Sequence, residues 1–365
     1  MERNYTAHNP GTNWVVVHDD GEFEKANAVK LIVVKLTLES VSFGGGNFPV
    51  FSDDDGNEYP KTQWTPTANY PVCYKRGTKM EVTPKFDVIP PTFTGPVKIK
   101  GKSNGPQLPE ASTLPKPIMT SIDEFKNTVD DIKPLGIRWT YTVDQKHWHF
   151  LGKSENHVYV TLDTPLCSKL FHTVVDVACR NAKGKSEEID VFNKIWEEFH
   201  GRSVHPWQDG SKAMKYWGPD AVAAKDTADK YDTTAKLVKH KDGQCGAWAS
   251  FMGDVLAAHA INTHQDKITL SKTYPPDCVI PAGFTVYNRL PGQGGMPLET
   301  NFTDHQIVKY DGKFYDPSYG EHYNTSLEWE DHSLWRLIYG TKGNYITILD
   351  PKKVQDTADS YYVYP

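Results

Sequence analysis

Cys245 stands at the head of the stretch Lys241 to Ile261, KDGQCGAWASFMGDVLAAHAI, where a cysteine can act as a nucleophile. Behind it Trp248, Phe251, Met252, Val255, Leu256 and His259 recur at three- and four-residue spacing, which predicts a long buried helix. Asp242 and Gly243 punctuate its entry. Free N–H groups and the positive dipole end of a helix N-terminus favour the thiolate, the reactive form of the side chain. Such a nucleophile needs a base, and the base needs a group to orient it. Thr303 to Gly320, TDHQIVKYDGKFYDPSYG, reads as a strand (His305 to Tyr310), an Asp311-Gly312 turn and a returning strand (Lys313 to Asp316) ended by Pro317. Counted outward from the turn, Tyr310 faces Lys313, and His305 falls opposite a position about two residues past Asp316. That diagonal is short enough for a carboxylate to hold an imidazole. The chemistry expected is acyl transfer: Cys245 attacks an amide or ester carbonyl, His305 protonates the leaving group, and Asp316 orients His305.

Gly243-Gln244-Cys245 followed by AWASFMGDVLAAHAIN, with DHQIVKYDGKFYDPSYG downstream, resembles the transglutaminase-like superfamily of papain-related Cys-His-Asp enzymes. In that family the histidine opens a strand and the aspartate sits on the next one before a Pro-Ser or Pro-Thr pair. His305 and Asp316-Pro317-Ser318 match that pattern. The resemblance runs from about Glu187 to Tyr345 and does not reach residues 1 to 110. It implies a nucleophile helix packed on an antiparallel sheet. It also implies an oxyanion donor from the loop before that helix, for which Trp207, Trp217 and Gln244 are candidates, with Trp217 in MKYWG preferred because an indole N–H can only donate. Eukaryotic protein-crosslinking members carry tryptophan directly after the cysteine, whereas this chain has Gly246 there and its tryptophan at Trp248. Substrate preference is therefore open between hydrolysis (peptidase, amidase or deamidase), which is favoured, and amine transfer that crosslinks proteins. A delivered toxin with the same chemistry and a noncatalytic binding protein are the rival functions.

Other residues of the same types carry less. The remaining cysteines, Cys73, Cys167, Cys179 and Cys278, read as small buried hydrophobes, and five cysteines at scattered spacings form no disulfide framework. With 14 histidines in the chain, His305 stands out by its placement alone. Lys146-His147-Trp148-His149 offers two histidines to a metal but no third ligand at a recognisable spacing. Ser52 to Glu58, SDDDGNE, lacks the alternating carboxylates of a calcium loop and reads as a solvated turn. No cofactor or metal is expected.

The elements that must position these residues fill a chain of 365 residues, enough for two or three domains. An α+β architecture is expected. Residues 1–102 read as a β-sandwich accessory domain, immunoglobulin-like in a general way, from KLIVVKLTLESVSF, YPVCYKRGTKMEVTPKFDV and GPVKIKGKS. Residues 103–117, SNGPQLPEASTLPKP, read as a linker, and 118–166 as a β-rich segment with GIRWTYTV, HWHFLG and HVYVTLDTP as strands. Residues 167–365 read as the transglutaminase-like catalytic domain, opening with helices in LCSKLFHTVVDVACRNAKG and EEIDVFNKIWEEFHG. A net charge of −6 gives no footprint for nucleic acid or an anionic membrane, and a protein or peptide substrate is the expected partner. Oligomeric state is not legible. The N-terminus, MERNYTAHNPGTNW, lacks the pattern of a secretory signal, so cytoplasmic residence is expected, with export by a signal-independent route also compatible.

Overall fold

A computed structural model describes residues 11–16, 28–45, 50–112, 114–167, 169–224, 227, 230–269, 281–286, 290–295, 302, 304–341 and 344–348. Cys278 lies outside them. The chain is a mixture of α and β structure that divides into two units, one of residues 1–46, 60–126 and 132–158 and one of residues 47–59, 127–131 and 159–365.

Strands of the first unit alternate buried and exposed residues, the period-two pattern of a sheet with one wet face. In Lys35–Gly44 the buried positions are Leu36 and Leu38, then Val41 and Phe43. The phase slips because the ladder to Lys79–Ile89 shifts register between Leu38 and Ser40, and the extra residue of that bulge returns Val41 to the inner face. Lys35–Gly44 and Lys79–Ile89 belong to one five-stranded sheet with Met119–Glu124, Trp64–Thr65 and Ala68–Asn69. A second five-stranded sheet holds Glu110–Ala111, Lys98–Ser103, Asp130–Thr142, His149–Thr161 and Val72–Lys75 in that order. Phe86 of the one meets Trp139 of the other edge-on, with ring centroids 6.2 Å apart. Ser103–Pro117, expected as a linker, contributes Glu110–Ala111 to this second sheet, paired with Lys100 and Ile99. Proline and small polar residues bend a chain without keeping it out of a sheet edge.

The second unit contains the helices α1 (His172–Ala182), α2 (Glu188–His200), α3 (Pro219–Ala223), α4 (Thr234–His240), α5 (Cys245–Ala257) and α6 (Ser326–Ser333). Helix α5 starts at Cys245 as expected and ends at Ala257, short of His259, the last residue of the expected apolar stripe. Lys241 turns left-handed at φ 58° to end α4, and Ala260 does so at φ 63° just beyond α5. Cys245, Ala247, Trp248, Ala249, Phe251, Met252, Val255 and Leu256 are all buried, so α5 is the central helix of this unit. It packs on an antiparallel sheet ordered His264–Thr269, Asp304–Tyr310, Lys313–Asp316, Glu321–Tyr323. Phe199 of α2 lies against Trp248 and Phe251 at 6.3 and 5.9 Å.

Residues 47–59 belong to this second unit, away from the expected 1–102 grouping. Val50–Ser52 runs parallel to Lys169–Phe171. The Ser52 to Glu58 turn is only half solvated. Asp53 caps its own turn through the N–H groups of Asp55 and Asn57, while Asp54 is buried, accepting from Thr173 N and Thr173 Oγ1 and pairing with Lys241. A buried carboxylate is retained where donors and a cation compensate its lost hydration. Among the described residues no helix is long and apolar enough to cross a membrane.

Candidate functional site

Cys245 is the first residue of α5, with Gln244 as N-cap, and is 7 % exposed. First-turn N–H groups of a helix have no intrahelical partner, and Gln244 makes no side-chain cap bond to them. Gly246 follows. A Cβ there would lie 3.2 Å from Asp232 O and from Gln306 Nε2, tighter than ordinary van der Waals contact.

His305 and Asp316 lie on neighbouring strands whose register is Tyr310 to Lys313, Lys309 to Phe314 and Val308 to Tyr315. His305 Nε2 is 2.6 Å from Asp316 Oδ2, and both side chains are fully buried. The other carboxylate oxygen, Oδ1, accepts from Ser318 N at 3.1 Å. Phe302, Tyr319 and Trp329 box the imidazole, with ring centroids 5.7, 5.9 and 6.3 Å away. Nδ1 is buried and makes no hydrogen bond among the described residues. With Nε2 committed to Asp316, Nδ1 is the ring atom left to exchange a proton with sulfur. Burial alone would push the imidazole down, but Asp316, by charge and hydrogen bond, and then the Cys245 sulfur outweigh it and raise His305 to about 10. Asp316 thus makes Nδ1 a strong proton acceptor beside Cys245.

The preferred oxyanion candidate is brought alongside by a short parallel pairing, Lys215–Tyr216 with Asp242–Gly243. Trp217 N donates to Gly243 O at 3.0 Å, which sets Trp217 next to Gln244 and Cys245. Trp217 holds a left-handed φ of 52°, uncommon for so bulky a residue. Asp242 sustains it: its buried carboxylate accepts from the N–H groups of Gly218, Asp220 and Ala221 at 2.7 to 3.1 Å, pinning the start of α3. Trp217 Nε1 and Gln244 Nε2 are both buried donors that meet the distance and angle of a hydrogen bond with none of the described residues. Trp207 is instead part of an aromatic cluster, stacked on His172 at 3.7 Å, where His172 also meets the hydroxyls of Tyr59 and Tyr159 at 3.0 Å.

Two supports escaped the sequence reasoning. Gln293 is fully buried and donates through Nε2 to Phe199 O and Pro317 O, while its N–H donates to Ser318 O. It clamps the Asp316-Pro317-Ser318 turn. Gly320 closes that turn at φ 68°, and a Cβ there would sit 2.6 Å from Phe199 O. Tyr216 is the second, with its ring 5.1 Å from Tyr319 and packed on Gly292. Neither carries a local pattern; a lone buried glutamine and a tyrosine beside a tryptophan are ordinary in any sequence.

The two constellations set aside as metal sites have protein partners. His147 Nδ1 lies 2.5 Å from Asp144 Oδ2, and the His149 ring rests on Tyr141 at 5.4 Å. No family model matches the sequence, and no curated protein matches it.

Proposed function

We propose that the chain is a cysteine-dependent acyl-transfer enzyme acting on amide bonds, built on a transglutaminase-like, papain-type domain with an immunoglobulin-like β-sandwich as its accessory region. The observation that carries this is the fully buried His305–Asp316 pair at 2.6 Å, whose unpartnered Nδ1 serves a cysteine at a helix N-terminus. The thiol proton passes to His305 Nδ1, and the sulfur attacks the substrate carbonyl. Electrons of the C=O bond move to oxygen, which the Cys245 N–H and the Trp217 or Gln244 donor stabilise. His305 returns the proton to the departing amine nitrogen, the C–N bond breaks, and a thioester remains. Water, deprotonated by His305, then attacks the thioester and releases the acid and the free thiol. Hydrolysis is preferred over amine transfer because it requires no acceptor pocket, and Gly246 replaces the tryptophan of crosslinking enzymes.

The test is intact-protein mass spectrometry with glutamine-containing peptides and simple aryl amides. A thioester adduct on Cys245 with release of ammonia or amine, absent from Cys245→Ala, is expected. Cys245 that forms no adduct and alkylates no faster than Cys73 or Cys167 would overturn the proposal.

A further inference from the structure

The Tyr216 hydroxyl is buried on a side chain 2 % exposed, and its O–H donates to no acceptor among the described residues. A buried O–H that donates to nothing destabilises the fold, so one kept at such a place requires an explanation. Its surroundings supply one. Tyr216 is paired in register with Gly243, two residues before Cys245. Burial comes first, then Tyr319, Cys245 and Asp316, in holding the phenol protonated well above its ordinary range, while the Trp217 indole pulls the other way. The hydroxyl is therefore a proton-bearing donor among those four groups. Trp217 offers only a donor. Asp316 has Oδ2 committed to His305 and Oδ1 to Ser318 N. Tyr319 offers a neutral phenol oxygen, a weaker acceptor than an anion. Cys245 is the neighbour that becomes a strong acceptor during the reaction.

From this juxtaposition we infer that Tyr216 is a further catalytic residue, whose O–H donates a hydrogen bond to the Cys245 thiolate. It rests on the acyl-transfer function proposed above and adds a residue to it. When the thiol proton moves to His305 Nδ1, the negative charge on sulfur gains the phenol O–H as a fixed donor. No bond of Tyr216 breaks, and its proton stays on oxygen. The O–H that donates to nothing is the cost of having that donor in place before the charge appears.

Tyr216→Phe removes the hydroxyl and keeps the ring against Tyr319 and Gly292. The rate of Cys245 alkylation by iodoacetamide at neutral pH, read by mass spectrometry with Cys73 and Cys167 as internal references, needs no knowledge of the substrate. The expected result is a fall of about tenfold or more, converging on wild type at high pH, as for loss of one hydrogen bond to a charged group. The melting temperature should hold or rise, because a buried O–H that donates to nothing has gone. An unchanged alkylation rate, or a lower melting temperature, would overturn the assignment while wild-type Cys245, labelling faster than its references, left the acyl-transfer function standing. A wild-type Cys245 no faster than Cys73 would overturn both.

Discussion

Among the described residues, buried side-chain N and O atoms that make no hydrogen bond gather in the second unit, Asn156 Oδ1 of the first apart. In the first, Trp139 Nε1 donates to Ser154 Oγ at 3.0 Å, the Tyr74 hydroxyl to Gly44 O at 2.9 Å, and Asn156 Nδ2 to the carbonyls of Gln63 and Tyr70 at 2.9 and 3.1 Å. These groups are spent on holding strands together. Around Cys245 in the second unit, Tyr216 OH, Trp217 Nε1, Gln244 Nε2 and His305 Nδ1 are buried and meet the distance and angle of a hydrogen bond with none of the described residues. The same contrast divides two histidines of that unit. His259 accepts from Leu162 N through Nδ1 and donates through Nε2 to Ala178 O, at 3.2 and 3.1 Å, so both sides of its ring are used by the backbone. His305 uses one side and keeps the other. Satisfied polar groups specify a fold, whereas a cluster of unsatisfied ones marks where a fold gives up stability for something not yet bound.

The largest expected effect falls on the unsatisfied cluster. Cys245→Ala should abolish adduct formation outright and leave the melting temperature within a degree or so, since a small buried residue replaces another. His305→Ala should slow alkylation and turnover by about 10²–10⁴-fold, the usual worth of a positioned base. His259→Ala should do the reverse, leaving two buried backbone groups without partners and lowering the melting temperature with little effect on alkylation measured below it. Equal kinetic losses in the two histidine variants would break the comparison.

The charge on His305 gives a pH signature. Its folded-state value is raised to about 10 from an ordinary 6.5, so its contribution to stability is complete below 6.5 and is lost as pH rises through about 10. Asp316→Asn removes the charge that outweighs burial and should bring the imidazole back down. Melting temperature followed from pH 6 to 11 should therefore fall in the alkaline range for wild type and stay flatter for Asp316→Asn. Turnover should lose its acid-catalysed limb at lower pH in the variant. Parallel profiles for the two proteins would show that Asp316 does not hold the proton on His305.

How much of this could be read from the sequence depended on how locally it is encoded. The encounter of His305 with Asp316 follows from counting outward from the Asp311-Gly312 turn, because a two-residue turn fixes the register of everything near it. The start of α5 at Cys245 follows from apolar periodicity. Tyr216 and Asp242 could not be found that way. Their roles arise from a two-residue parallel pairing between segments 27 positions apart at Lys215 and Asp242, too short to leave a pattern in either segment. Gln293 reaches Phe199 O over 94 residues, and Asp54 reaches Thr173 over 119. Contacts of that separation are set by the assembled core, and a sequence shows the residues without showing the meeting.

Trp217→Phe and Ser154→Ala put the contrast on matched ground. Removing the indole N–H should leave stability nearly unchanged and slow acylation by about 10²-fold, the scale for losing one oxyanion donor. Removing the Ser154 hydroxyl strands the Trp139 N–H in the core and should cost about 1–3 kcal/mol of stability with no change in Cys245 alkylation.

Asp54→Ala should give the smallest effect and the sharpest test of where the boundary between the two treatments lies. Asp54 supplies the cap that α1 lacks, since Phe171 at the N-cap offers no side-chain acceptor and Asp54 Oδ1 takes the Thr173 N–H at 3.1 Å. Its other oxygen is paired with Lys241, four residues before Cys245. As a cap it is worth about 0.5–2 kcal/mol, a shift of a few degrees in melting temperature. Asp54→Asn, which keeps an oxygen for Thr173 but loses the charge facing Lys241, should fall between wild type and alanine. If Asp54 belongs with the satisfied groups, both variants alkylate at Cys245 at the wild-type rate when assayed well below melting. A slowed rate in Asp54→Asn at unchanged melting temperature would instead mean that the Asp54–Lys241 pair helps hold the entrance of α5, and that the reach of the site extends into residues 47–59.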